Sequence, residues 1–218
     1  MPTPAATQAK LCGLSTPEAV NAALAGGAAM IGFNFFAKSP RVVTVETAAR
    51  LAQSLAGGPM RVVAVTVDPD DALVDEIARV LKPDLIQLHG KETPARAMAI
   101  KARSGVGVIK VISVSEPADL DAARPFDGLV DHLMFDAKTP KDAPLPGGMG
   151  VRFGWDMLKG RRFERPWFLA GGLDPWNVAD AVARSGAPLV DVSSGVERGA
   201  GLKDPALITA FLEAVRKA

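Results

Sequence analysis

Cysteine occurs once, histidine twice and tyrosine not at all in the 218 residues of this chain. The single thiol, Cys12, excludes an internal disulfide, and with only His89 and His132 beside it a Cys/His metal centre is short of ligands. Charge of one sign is also lacking. The chain has 25 basic and 24 acidic side chains, a net of +1, which gives no support for a nucleic-acid or membrane-binding surface. No uninterrupted apolar run reaches the roughly 20 residues that span a bilayer. The opening stretch, Met1 to Gln8, has neither the basic n-region nor the apolar core of a signal peptide. It reads as a flexible leader over 1–8 ahead of one domain over 9–218, and a cytoplasmic setting is the default.

With 48% hydrophobic residues, the chain can bury one full core. Short β-rich apolar runs fall at 9–12, 30–35, 61–67, 85–88, 107–112, 132–135, 167–170 and 189–192, and each is followed by a segment with helical spacing. The helices are expected at 16–25, 45–56, 70–81, 93–103, 117–123, 155–158, 175–184 and 204–217. Caps at Thr16, Thr44, Asp174 and Asp204 mark helix starts. Such alternation means parallel strands with helical crossovers, in either a closed barrel or an open doubly wound sheet. A dinucleotide-binding sheet would show Gly-x-Gly-x-x-Gly after its first strand, whereas this chain reads Cys12-Gly13-Leu14-Ser15-Thr16 there. The fold expected is therefore α/β, a single-domain (β/α)8 TIM barrel, compact beside the ~250 residues typical of that fold.

Two late turns strengthen this reading. The runs ending at Ala170 and Val192 break into Gly171-Gly172-Leu173 and Ser193-Ser194-Gly195. Free amide groups in such turns attract anions, and the loops after strands 7 and 8 are where barrels hold phosphate. A small phosphorylated molecule is the expected partner, and the assembly is left open between monomer and homodimer. The 18 residues from 137 to 154 make the longest irregular piece, with three prolines, after the sixth strand.

Barrel chemistry sits at the C-terminal ends of strands, which selects a short list. Lys10 and Cys12 share a face of the first strand, where an ammonium would favour thiolate and give a general base of lowered pKa. The bland alternative is a small buried apolar residue. Asp136 at the end of the sixth strand is either a general acid or a structural ion pair or cap. Arg41, in the loop Lys38-Ser39-Pro40-Arg41, has the fork that suits a carboxylate, or is a solvated charge. His89 shows no carboxylate partner in the sequence and reads as structural, as does His132, which precedes its strand at the wrong end of the barrel. Asp191, on a face with Ser193, would need partners if buried.

Taken in order, Lys10-Leu-Cys-Gly13, Ile31-Gly-Phe-Asn-Phe35, Lys38-Ser-Pro-Arg41, Gln87-Leu-His-Gly90, Phe135-Asp-Ala-Lys138, Leu169-Ala-Gly-Gly-Leu173 and Asp191-Val-Ser-Ser-Gly-Val-Glu197 resemble the phosphoribosylanthranilate isomerase family of tryptophan biosynthesis over nearly all of residues 9–217. The resemblance implies a cofactor-free and metal-free Amadori rearrangement of N-(5-phosphoribosyl)anthranilate. Cys12 would be the general base and Asp136 the general acid. Arg41 would hold the anthranilate carboxylate, and Gly171, Gly172, Ser193, Ser194 and Gly195 the phosphate. The chain departs from the family pattern at Gly147-Gly-Met-Gly150, where threonine is usual in place of methionine, and at Phe153-Gly154-Trp155, where aspartate is usual in place of Gly154. Two rivals predict different behaviour. Histidine-pathway sugar-phosphate isomerases use two aspartates, and position 12 is not acidic. A non-catalytic binding protein would keep the anion turns without turnover.

Overall fold

A computed structural model describes residues 6–139 and 150–218. Eight parallel strands close on themselves in chain order: β1 (Gln8–Cys12), β2 (Met30–Asn34), β3 (Arg61–Thr66), β4 (Leu85–Leu88), β5 (Gly107–Val114), β6 (His132–Ala137), β7 (Phe168–Leu169) and β8 (Leu189–Val192). Closure is made by β1 against β8, with Lys10 opposite Asp191. The eight-strand reading therefore holds, and the open sheet is excluded. β1 starts at Gln8, one residue inside the stretch expected as leader, and residues 1–5 lie outside the described residues.

Strand alternation divides the core in two. Cys12, Met30, Val63, Val65, Leu85, Ile109, Val111, Met134, Phe168, Ala170 and Leu189 form the cluster inside the barrel. Residues of opposite parity, such as Leu11, Ile31, Phe33, Ala64, Ile86 and Phe135, pack under the helices. Gly32 gives Lys10 its place inside the barrel: a Cβ there would lie 3.2 Å from Lys10 Nζ and 3.4 Å from Cys12 Sγ.

The helices are α1 (Pro17–Ala25), α2 (Val45–Ala52), α3 (Asp71–Glu76), α4 (Pro94–Ser104), α5 (Val178–Ser185) and α6 (Pro205–Arg216). Thr16, Thr44 and Asp204 cap as expected, each side chain accepting from an N–H in the first turn. Asp174 does not cap α5. It accepts from Trp176 N–H in a turn before the helix, whose N-cap is Asn177. The expected fifth and sixth helices are short 3-10 segments at Pro117–Ala123 and Trp155–Leu158. The expected helix over 70–81 changes to π geometry at Ile77–Leu81. After β8 the chain adds an antiparallel pair that the sequence reading did not contain, β9 (Glu197–Gly199) and β10 (Leu202–Lys203). Among the described residues no helix is long and apolar enough to cross a membrane.

Candidate active site

The C-terminal ends of the strands open into a cavity of about 760 Å3, counting its mouth. Cys12, Arg41, Asp136, Gly171, Ser193 and Ser194 all line it, as do His89 and Asp191. Gly172 and Gly195 do not. Gly195 packs so close to the Leu173 carbonyl that a Cβ would collide with it, and at Gly172 (φ +64°) a Cβ would lie 2.8 Å from the carbonyl oxygens of Gly150 and Val151. Gly195 thus lets the two turns nest together, and Gly172 lets the chain at Gly150 and Val151 pack on the first of them. The N–H groups of Gly172, Ser194 and Gly195 donate to no acceptor among the described residues, the arrangement that makes an anion nest.

Cys12 ends β1, and its surroundings are ionic. Lys10 Nζ donates to Asp191 Oδ1 at 2.7 Å, with the lysine fully buried. Beyond β8, Glu197 takes Arg41 Nε and Nη2 at 2.7 and 2.8 Å and Lys203 Nζ at 2.6 Å. Lys203 also donates to the Ser193 carbonyl at 2.9 Å, and Ser193 Oγ donates to the Cys12 carbonyl at 3.2 Å. Burial lowers the Lys203 ammonium below its ordinary value despite Glu197. Burial opposes ionisation of Glu197 as well, but Arg41 and Lys203 outweigh it and hold the carboxylate low.

The expectation of an acidified thiol is overturned. Burial pushes the Cys12 thiol up, Asp191 adds to this, and the Lys10 and Lys203 ammonium groups offset only part of it. The physical reason is burial at the end of β1, and Lys10, the cation that offsets it most, is itself paired with the Asp191 carboxylate. Burial also disfavours the Lys10 ammonium, yet Asp191 and Cys12 together raise its pKa.

Asp136, on β6, lies three strands round the barrel from Cys12, counted through β7 and β8. Its Oδ1 accepts from Ala137 N–H at 2.8 Å. Gly171 makes room, since a Cβ there would come 3.0 Å from that oxygen. Asp136 Oδ2 lies 3.3 Å from His89 Nε2, so the histidine has the carboxylate neighbour that the sequence did not reveal. His132, expected ahead of its strand, is the first residue of β6 and lies at the other pole, bonded through Nδ1 to the Pro166 carbonyl at 2.7 Å.

A sequence model described as N-(5'phosphoribosyl)anthranilate (PRA) isomerase matches residues 9–214. The chain belongs to this isomerase family. The isomerase of Caulobacter sp. (strain K31) is 67% identical over 210 residues, covering 96% of this chain and 99% of that one. The crystal structure of the isomerase from Thermotoga maritima superposes with a TM-score of 0.86 at 30% identity, covering 97% and 100% of the two chains. Another isomerase structure, at a TM-score of 0.83 and 28% identity over 97% and 100%, holds reduced 1-(o-carboxyphenylamino)-1-deoxyribulose 5-phosphate.

Among the family's departures, Met149 lies outside the described residues. Gly154 is the N-cap of the Trp155–Leu158 turn and supplies no side-chain bond to it, so the missing aspartate coincides with a four-residue 3-10 turn where a helix was expected. The described ends of the loop, Thr139, Gly150 and Val151, line the cavity. Sequence reasoning missed Glu197 and Lys203 as site residues. The signal for them was a Gly-rich turn, Gly199-Ala-Gly201, between oppositely charged residues just past the phosphate turn, which pairs Lys203 with Glu197 across β9 and β10. Among the described residues no group of three His, Cys, Asp or Glu side chains could hold a metal ion.

Proposed function

We propose that this cavity converts N-(5'-phosphoribosyl)anthranilate to 1-(2-carboxyphenylamino)-1-deoxyribulose 5-phosphate, an Amadori step of tryptophan biosynthesis. One observation carries the reading: in a chain of this family, a buried thiol and a buried carboxyl face one cavity beside the two anion turns. The phosphate is taken by the N–H groups of Gly172, Ser194 and Gly195, with Gly171 and Ser193 shaping the turns. Arg41, oriented by Glu197, meets the anthranilate carboxylate. Anchoring both ends leaves the ribose between acid and base, which is where positioning contributes most.

Asp136 gives its proton to the furanose ring oxygen as the C1'–O bond breaks, and the anthranilate nitrogen supplies the electron pair that makes an iminium. Cys12, once its own proton has passed to solvent, then takes the proton from C2' as the thiolate. The C–H electrons move to the iminium nitrogen, which is the electron sink, and the enolamine tautomerises to the ketone. The thiolate is costly in its buried setting, and the iminium cation is an additional opposite charge that favours it at the moment it is required.

The test is steady-state turnover of freshly generated phosphoribosylanthranilate, read as loss of its fluorescence, for wild type, Cys12→Ser and Asp136→Asn. Wild-type turnover that falls about 10²–10⁴-fold in each variant is expected for loss of a general base or acid. A folded wild type without turnover would sink the reading in favour of a binding protein.

A further inference from the structure

Among the described residues three buried side-chain polar atoms lack a hydrogen-bond partner, Gln87 Oε1, His89 Nε2 and Trp155 Nε1. The first two lie two residues apart at the end of β4 and line the cavity. A buried polar atom left without a partner is destabilising, so two of them on one strand end need a reason. His89 has a specific one. Its Nε2 lies 3.3 Å from Asp136 Oδ2, close but not aligned as a hydrogen bond, and the two side chains are 13% and 9% exposed. The other carboxyl oxygen of Asp136 is already fixed by Ala137 N–H. Oδ2 is therefore the oxygen that handles the proton, and His89 is the side chain beside it.

The backbone under His89 is held from several directions. His89 N–H donates to the Thr66 carbonyl at 2.9 Å. The next residue, Gly90, donates its N–H to Glu92 and accepts at its carbonyl from Lys110 Nζ at 2.8 Å. Glu92 and Lys110 are themselves a buried ion pair at 2.6 Å. Glu92 also accepts from Asp68 N–H at 2.9 Å, tying the β3 loop to the same point. A Cβ on Gly90 would collide with Asp68. This clamp lies outside the cavity's reacting region, and it fixes the peptide that carries the imidazole.

We propose that His89 is a positioning residue for the acid: its Nε2–H donates to Asp136 Oδ2 as the carboxyl gives up its proton, so the carboxylate formed in ring opening is stabilised where it forms. The proton goes to the ring oxygen, and no proton leaves the imidazole. The interaction is strongest after the proton has moved, so it lowers the barrier rather than tightening substrate binding. A histidine that merely fills space would show neither this dependence on Asp136 nor a requirement for a donor at the Nε2 position.

The inference rests on the proposed function, and the same assay separates the two. Turnover is measured for wild type, His89→Leu, His89→Gln and the double variant His89→Leu/Asp136→Asn. His89→Leu is expected to lose about ten- to a hundredfold in kcat, the worth of a hydrogen bond to a charged group, with KM changed less than about threefold. His89→Gln, whose amide reaches a similar point, recovers most of that loss. In the Asp136→Asn background the leucine substitution costs less than about threefold. An unchanged kcat in His89→Leu, a loss confined to KM, or an equal loss with and without Asp136 overturns the proposal while wild-type turnover leaves the isomerase reading standing. If His89→Leu does not fold, His89→Gln and His89→Asn decide it, because only the former keeps a donor at that reach. An inactive wild type overturns both.

Discussion

Around Cys12 the buried charges are paired in contact, Lys10 with Asp191 and Glu197 with Arg41 and Lys203, whereas on the wall that holds β4 and Asp136 two buried polar atoms, on Gln87 and on His89 beside Asp136, have no aligned partner. The two walls of one cavity thus treat charge in opposite ways. On the Cys12 side the field is fixed by ion pairs that were assembled on folding, and its balance favours the neutral thiol. On the Asp136 side the polar groups keep bonding capacity, which the proposed ring opening would use. Paired charges resist change, so breaking the Cys12 wall should damage stability first. The Asp136 wall should respond in turnover and hardly in stability.

The largest stability effect expected is at Lys10. Lys10→Met leaves the Asp191 carboxylate in the barrel interior without its cation, and losing one partner of a buried pair costs about 3–5 kcal/mol. Urea unfolding should show that fall, and Lys10→Met/Asp191→Leu should recover much of it, because the pair's desolvation is then removed as well. A single variant within about 0.5 kcal/mol of wild type, the spread of an ordinary surface substitution, would mean that the pair does not organise the wall. His89→Leu, by comparison, should unfold close to wild type, which sharpens the contrast.

Next comes the seam between the phosphate turns. A Cβ at position 195 would meet the Leu173 carbonyl and lie 3.0 Å from Asp174 Cα, both backbone. Gly195→Ala must therefore shift one turn against the other, at about 1–3 kcal/mol of overpacking. Misaligned amide donors should raise KM for the phosphorylated substrate by about tenfold or more, with a smaller change in kcat. Unaltered KM would place the phosphate elsewhere.

The barrel was legible because parallel strands buried on both faces read as short apolar runs, and because helix starts carry Thr16, Thr44 and Asp204 caps that do the same work in the structure. The 3-10 segments at Pro117–Ala123 and Trp155–Leu158 were not, since a few residues of helical spacing do not distinguish i+3 from i+4 bonding. In the candidate site, strand ends nominate Cys12, Asp136 and the turn residues and the loop after β2 nominates Arg41, and the cavity brings Cys12, Arg41, Asp136, Gly171, Ser193 and Ser194 together. Strand ends and loops do not nominate their partners. Asp191 meets Lys10 because β8 closes the barrel on β1, and His89 meets Asp136 from a strand two places away in the sheet. Such pairings belong to closure and register, which a one-dimensional pattern does not contain. The wrong sign for the Cys12 thiol comes first from burial in the closed barrel, which a one-dimensional pattern does not show either. Lys10 was visible two residues away, but the carboxylate that shares its charge was 181 residues distant.

The two histidines allow the smallest of these effects to be isolated, because they sit at opposite poles. His132 is closed in: Nδ1 faces the Pro166 carbonyl, Arg61 Nη2 lies 3.3 Å from Nε2, and the ring meets the edge of Phe168 at 5.4 Å. Burial, with Arg61 beside it, pushes its pKa below the ordinary value. The unfolded chain then binds the proton first. The stability that His132 contributes is present above the unfolded histidine value of about 6.5 and falls as pH is lowered from there towards the folded value. The carboxylates of Asp131 and Glu197, both held low, act only below about pH 4.5, outside that interval. Urea midpoints from pH 7.5 down to 5.5 should therefore decline in wild type and decline less in His132→Gln, while His89→Gln alters turnover at every pH in that range. Equal slopes in wild type and His132→Gln would show that the pole opposite the cavity contributes nothing to the pH dependence, and that the interior around Cys12 is where the remaining slope must be sought.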